Sequence, residues 1–214
     1  SMGWGDRLAG FFASQNTELY VGVDPRKENH PIYREQADYY EGQLTMFETM
    51  KKVDFYCEAA EDFYYDGYDD TFDVIFTSPP YFNVERYSHD DNQSWVRYKD
   101  IDNWNTQFLQ KALDNMLPTL RSGGKLCVNI SDVYSPSAGK KTWSKICDPM
   151  NDFIQSYGGM EYKGCIGMEM AKRPNSGGAG TAKDKTQYSE ESLQLAEETK
   201  NKRFCEPIWI WEKK

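Results

Sequence analysis

The segment Thr77-Ser78-Pro79-Pro80-Tyr81 follows directly on a short apolar run and places four chemically distinct groups in succession. Two prolines at the carboxyl end of a strand stiffen the backbone and remove two N–H donors, which leaves carbonyls there to accept hydrogen bonds. A hydroxyl, a stiff carbonyl and an aromatic ring in that order suit a planar group that carries an amine. Such an amine donates to Ser78 and to the Pro79 carbonyl, Pro80 holds the turn, and Tyr81 stacks on the ring. In open α/β sheets ligands bind in the crevice at the carboxyl ends of the strands, which is where this segment falls.

Upstream, Gly3-Trp4-Gly5 opens a helical-looking stretch at residues 6–14. Glycines before a helix N-terminus let the backbone approach a ligand closely. Asp24 ends the next strand, the position from which an acid binds ribose hydroxyls in a nucleoside site. Glu58, Glu61 and Asp62 follow the strand at residues 53–57 on the same edge. Glu58 is the candidate to meet an adenine or a ribose, whereas Glu61 and Asp62 read as a solvated acidic turn.

Positioning these groups requires strands that end at Asp24 and at Thr77, and the pattern supplies them. Short apolar runs at residues 19–23, 53–57, 72–77 and 125–130 alternate with helical stretches at 33–50, 104–120 and 142–157. Trp104, Phe108, Leu109, Ala112, Leu113, Met116, Leu117 and Leu120 recur three and four apart, the spacing of an amphipathic helix, and Gly123-Gly124 reads as its C-cap. Gly158-Gly159 closes the helix before it. Strands at 162–168 and 207–212 finish the chain. This alternation predicts an α/β fold on a mostly parallel sheet. Between the last two strands, residues 172–203 are glycine-rich at first, with a short polar helix expected over 189–202.

The 214 residues fit one domain spanning 1–214, and 39% hydrophobic residues suffice for a real core. No apolar run approaches the roughly 18–20 residues of a membrane span, and the first residues lack the basic and apolar regions of a signal peptide. Five cysteines without a CxxC pair argue for reduced thiols and against a zinc site, and two histidines leave no metal site expected. A cytoplasmic protein is the simplest reading. The net charge of −9 is uneven: residues 1–70 carry it all, while residues 136–214 hold 13 Lys/Arg against 11 Asp/Glu. A polyanion would be met by the last third.

In combination these residues resemble the class I S-adenosylmethionine-dependent methyltransferases, within them the amino-methyltransferases of nucleic-acid bases. Ser78-Pro79-Pro80-Tyr81 looks like the family's catalytic [DNS]-P-P-[YFW] motif, Gly3-Trp4-Gly5 like the end of its cofactor loop, and Val23-Asp24-Pro25 like its ribose-binding strand end. Similarity continues through residues 82–88, Gln93-Ser94, Gly123-Gly124, Asn129-Ile130 and Glu206-Pro207-Ile208.

The resemblance implies a Rossmann-like, mostly parallel seven-stranded sheet with an antiparallel last strand. It implies S-adenosyl-L-methionine as cofactor, held by Gly3, Gly5, Asp24 and Glu58, and methyl transfer to the exocyclic amine of cytosine (N4) or adenine (N6) in DNA. The target base would be flipped from the duplex and stacked on Tyr81, without a covalent intermediate. Glu85 and Tyr87 would face the substrate, and Arg173, Lys183 and Lys185 would contact phosphates from the 172–203 loop. The sequence has no counterpart of the family's first strand, so strand edges are expected on both sides of that gap. RNA or a protein glutamine as acceptor, and an inactive binding subunit, are the competing readings. Serine in place of asparagine counts against glutamine, and the intact motif counts against inactivity.

Overall fold

A computed structural model describes residues 2–44, 50–82, 84–137, 140–169 and 205–214; the expectations for 172–203, including Arg173, Lys183 and Lys185, lie outside them. Helix α1 (Asp6–Ala13) leads into strand β1 (Leu19–Val23), helix α2 (His30–Glu41) into β2 (Lys52–Tyr56), and a long connection into β3 (Phe72–Thr77). Two short helices, α3 (Ser94–Arg97) and α4 (Ile101–Asn103), precede a π-helical stretch, Trp104–Gln110, that runs into α5 (Lys111–Met116). Strand β4 (Leu120–Asn129), a hairpin of β5 (Val133–Ser137) and β6 (Lys140–Ser144), helix α6 (Cys147–Tyr157), β7 (Met160–Glu169) and β8 (Cys205–Lys213) complete the order.

Strands β1 and β2 pair in parallel, and β3, β4, β8 and β7 form a second sheet in that order. In it β3 and β4 are parallel, while the last strand, β8, is antiparallel to both neighbours. Among the described residues no ladder joins β1 to β3, so the one sheet expected from the sequence is found as a parallel pair and a four-stranded sheet.

Two cores result. Alternation along β8 buries Cys205, Pro207, Trp209 and Trp211, and the two tryptophans meet Leu126 and Val128 of β4. The helical face from Trp104 to Leu117 and Ile146, Met150 and Ile154 around α6 close over them. The second core joins Met2, Leu8, Phe11 and Phe12 to Tyr33 and Ala37 of α2. The Lys51 ammonium, buried beside it, donates to the carbonyls of Phe11, Ser14 and Thr17 at 3.3, 2.6 and 2.9 Å, and so satisfies the end of α1. Among the described residues, Val74 and Phe76 of β3 and Ile166 of β7 in the second sheet are exposed.

Three local expectations change. Gly123-Gly124 does not cap a helix; the helical run ends in a 3-10 turn at Leu117–Thr119, and the glycines lie inside β4, where the register to β3 slips. Gly123 takes φ +78, and a Cβ at Gly124 would lie 2.9 Å from the Phe72 carbonyl oxygen, so the bulge needs both. Helix α6 starts five residues late because Lys140–Ser144 pairs with Val133–Ser137. Its first turn is capped from elsewhere: the Asp132 carboxylate accepts from the Ile146 and Cys147 amides at 2.8 and 2.9 Å. Helix α2 begins at His30 and ends at Glu41, short of the residue 50 expected.

Candidate active site

A cavity of about 600 Å³ opens at the carboxyl ends of β1 and β3. Its wall includes Gly3, Asp24, Ser78, Pro79, Pro80, Tyr81, Glu85 and Tyr87, residues drawn from separate stretches of sequence. The volume is within the range of sites that hold small molecules. Gly5 adjoins it as the residue before α1, and Glu58 is exposed and lies outside the lining.

The glycine turn is held in a conformation other residues rarely adopt. Gly3 and Gly5 have φ +63 and +98, and a Cβ at Gly5 would lie 2.1 Å from Gln36 Oε1. Asp24, 9% exposed, accepts from the Met2 amide at 3.0 Å and from the Arg26 amide at 3.1 Å, while the Tyr33 hydroxyl donates to the Gly3 carbonyl at 2.6 Å. The end of β1 and the turn before α1 are thus tied into one cradle. Burial, with the charge of Asp24, pushes the Tyr33 phenol up to about 12.

At the end of β3 the Ser78 hydroxyl donates to Asn129 Oδ1 at 3.3 Å and accepts from Arg7 Nη2 at 2.6 Å. Asn129 in turn donates to the Pro207 carbonyl at 3.1 Å, which fixes the orientation of its amide. With its hydrogen given to Asn129, Ser78 faces the cavity as an acceptor. The Pro80 carbonyl is taken by the Phe82 amide at 2.9 Å, whereas no hydrogen bond to the Pro79 carbonyl is made among the described residues. Phe82 has φ +38, a strained turn that sets Tyr81 on the cavity wall. The Tyr81 amide donates to Glu85 Oε2 at 3.1 Å, and the Tyr87 hydroxyl donates to the same oxygen at 2.9 Å. Burial and the nearby charge of Glu206 push the Tyr81 phenol well above its ordinary value.

Glu61, read from the sequence as solvated, is 1% exposed and lines the cavity. Its carboxylate accepts from Arg97 at 3.1 Å and from the Tyr98 hydroxyl at 3.3 Å. Desolvation still raises it above the usual carboxylate range, whereas Arg97 and Lys111 lower its neighbour Asp62. This network and the bond from Asn92 to the Pro25 carbonyl, 2.9 Å, hold residues 92–98 over the site. Arg7 carried no signal in the sequence, Asn129 was marked only by the resemblance and Glu61 only as one acid of a turn; the three line one cavity because the start of α1 and the ends of β2 and β4 converge there. Phe108, Leu109, Ala112, Leu113 and Met116 add an apolar part to the wall. Among the described residues no group of His, Cys, Asp and Glu could hold a metal ion, and no helix is long and apolar enough to cross a membrane.

The sequence profile of the DNA methylase family, acting at N6 and N4 positions by its name, matches residues 72–214. A search of curated protein sequences finds no match. Among solved structures, the PH0226 protein of Pyrococcus horikoshii superposes with a TM-score of 0.50 at 11% identity, over 100% of this chain and 79% of that one. The [4+2]-cyclase SpnF gives 0.52 at 15% identity, over 100% and 72%. The fold is accordingly the Rossmann-like class I methyltransferase fold, in a mixed sheet. A protein of Thermus thermophilus, TTHA0409, provisionally assigned as a DNA modification methylase and solved with S-adenosyl-L-methionine, gives 0.44 at 15% identity over 73% of this chain. This chain spans about half that protein, 53%.

Proposed function

The chain belongs to the N6/N4 DNA methylase family, and from that premise we propose that it transfers a methyl group from S-adenosyl-L-methionine to the exocyclic amine of cytosine or adenine in DNA. The observation that carries this reading is the pair of acceptors at Ser78 and Pro79: a hydroxyl whose hydrogen is already spent on Asn129, next to a carbonyl that accepts no hydrogen bond among the described residues. An exocyclic amine has two N–H groups to place and a lone pair to release from ring conjugation, and two fixed acceptors serve both ends.

The cradle fits the cofactor. Gly3 and Gly5 keep the turn free of side chains, Asp24 offers a carboxylate for ribose hydroxyls, and Glu61 offers a second acid on the same wall for the adenosine. Glu61 takes the place expected of Glu58. When bound, S-adenosyl-L-methionine supplies an electrophilic methyl group on a sulfonium. The chain's own residues do the rest: Ser78 and the Pro79 carbonyl hold the amine hydrogens, Tyr81 stacks on the base, and Glu85 fixes Tyr81 and Tyr87 at the mouth. Positioning is the main catalytic contribution, so no nucleophile is required. A cytoplasmic location accords with five cysteines that form no disulfide.

The test is incubation with labelled S-adenosyl-L-methionine and duplex DNA, followed by digestion to nucleosides and mass spectrometry. Label in N4-methylcytosine or N6-methyladenine is expected. Label in RNA alone, or cofactor binding with no transfer to any nucleic acid, would overturn the assignment.

A further inference from the structure

Between residues 84 and 103 only Gln93 and Ser94 are buried, 6% and 7% exposed, and both are polar and line the cavity. Apolar members of this stretch reach the core only in part, through Tyr98 and Ile101. What holds the portion over the cavity is polar and sits at its two ends. At one end Asn92 Nδ2 donates to the Pro25 carbonyl at 2.9 Å, just past β1. At the other, just past β2, Arg97 Nη1 donates to Glu61 Oε1 at 3.1 Å and also pairs with Asp62, and the Tyr98 hydroxyl donates to Glu61 at 3.3 Å. Residues 92–98 thus run as a strap from the end of β1 to the end of β2. Within it the Ser94 hydroxyl is buried and has no hydrogen-bond partner among the described residues. A buried hydroxyl without a partner is costly, and the cavity is where one can come from.

Resting on the methyltransferase reading above, we propose that residues 92–98 are a gate over the nucleoside half of the cofactor. The strap opens at Asn92 and Arg97 to admit the nucleoside, closes behind it, and then presents the Ser94 hydroxyl to it. The acids assigned to the nucleoside, Asp24 and Glu61, stand at the two ends of the strap, so a nucleoside set between them is crossed by it. Polar clasps suit the task, because water replaces their hydrogen bonds when they part and no apolar core is broken. The Arg97 side chain is already 30% exposed. Motions of this kind set the rates of binding and release without altering the chemical step.

The test is stopped-flow binding of S-adenosyl-L-homocysteine, which has the same nucleoside and no methyl group to transfer. Tryptophan fluorescence reads it, since Trp95 lies within the strap. Asn92→Ala and Arg97→Met each free one end, and association and dissociation should both accelerate by roughly 10-fold, with affinity changing less than either rate. Asn92→Ala removes no charge, so it reads the gate even if loss of the Arg97 ion pairs unfolds the chain. Ser94→Ala should speed dissociation by about 5- to 10-fold with association as in wild type, because the hydroxyl meets the ligand only after closure. Association at the wild-type rate in both end variants would make the strap a fixed wall and overturn the gate. Wild-type dissociation in Ser94→Ala overturns the contact. Either result leaves the methyltransferase reading standing, whereas wild-type protein that binds no S-adenosyl-L-homocysteine removes that reading and the gate with it.

Discussion

A serine hydroxyl can donate or accept, and at Ser78 its neighbours decide. Asn129 is locked by the Pro207 carbonyl and presents its Oδ1, so Ser78 gives its hydrogen there and, with Arg7 also donating to it, meets the cavity as an acceptor. Removing that acceptor should cost one hydrogen bond in the transfer step. Ser78→Ala is expected to slow single-turnover methylation by about 5- to 30-fold, equivalent to about 1–2 kcal/mol. Calorimetry should show cofactor affinity little changed, and a variant that loses cofactor and rate together would place Ser78 in the wrong half of the site. Asp24 belongs to the other half. Asp24→Ala should weaken S-adenosyl-L-methionine by about 1.5–3 kcal/mol, with Asp24→Asn recovering part because it still accepts from the Met2 amide. Unaltered affinity in both variants would remove Asp24 from the cradle. These two residues were legible in the sequence because each ends an apolar run whose carboxyl terminus has to face the crevice. Arg7 and Glu61 were not, since a charged residue near a turn looks solvated until its distant partners, Ser78 and Arg97, are brought to it.

Among the elements, the segment at residues 92–98, which contains α3, shows how a single helical turn is held in place by ion pairs. Arg97 pairs with Glu61 at 3.1 Å and also with Asp62, and Lys111 reaches Asp62 at 3.2 Å from α5. Arg97→Ala leaves Glu61 buried without its cation, a destabilisation of about 1–3 kcal/mol once the partial exposure of Arg97 is allowed for. The pH dependence has a definite sign. Burial already holds the folded Glu61 above its ordinary range, and loss of Arg97 raises it further. The penalty should therefore be greatest at neutral pH and shrink as acid protonates the carboxyl, which urea unfolding at pH 7 and pH 5 will measure.

The cradle titrates at the other end of the scale. The Tyr33 phenol, raised from 10.0 to about 12 in the folded chain, supports stability that is complete below pH 10 and lost as pH rises toward 12. Tyr33→Phe should flatten that window in tyrosinate absorbance and denaturation curves; an unchanged alkaline transition would shift the cause to Tyr20, also raised to about 12 by burial. Element identity was well marked by apolar period: the strand expected over 72–77 is β3 itself. Element ends were not. Gly-Gly ends a helix or opens a bulge with equal local logic, and only the pairing of β4 with β3 chooses the bulge. The β5–β6 hairpin was hidden because its second strand falls in a stretch whose polarity also suits a helix.

At the scale of the molecule the difficulty is charge. Under the proposed function a protein of net −9 has to meet a polyanion, and the cavity wall adds acids of its own. Residues 1–70 carry 6 Lys/Arg against 15 Asp/Glu and repel a phosphate backbone at any range shorter than the Debye length. Only residues 136–214 are slightly positive, and part of that excess, Arg173, Lys183 and Lys185, falls close together in sequence, ahead of the strand that carries Glu206 and Trp209. These three are our candidates for phosphate contact. Each neutralised contact should reduce the slope of log affinity against log salt by about 0.9, so replacing all three with glutamine should flatten it by nearly three units. Methylation of a short duplex at low salt should fall with affinity while S-adenosyl-L-methionine binding is unaffected, because Gly3, Gly5 and Asp24 belong to a separate part of the chain. A slope identical to wild type would remove these three residues from the DNA contact.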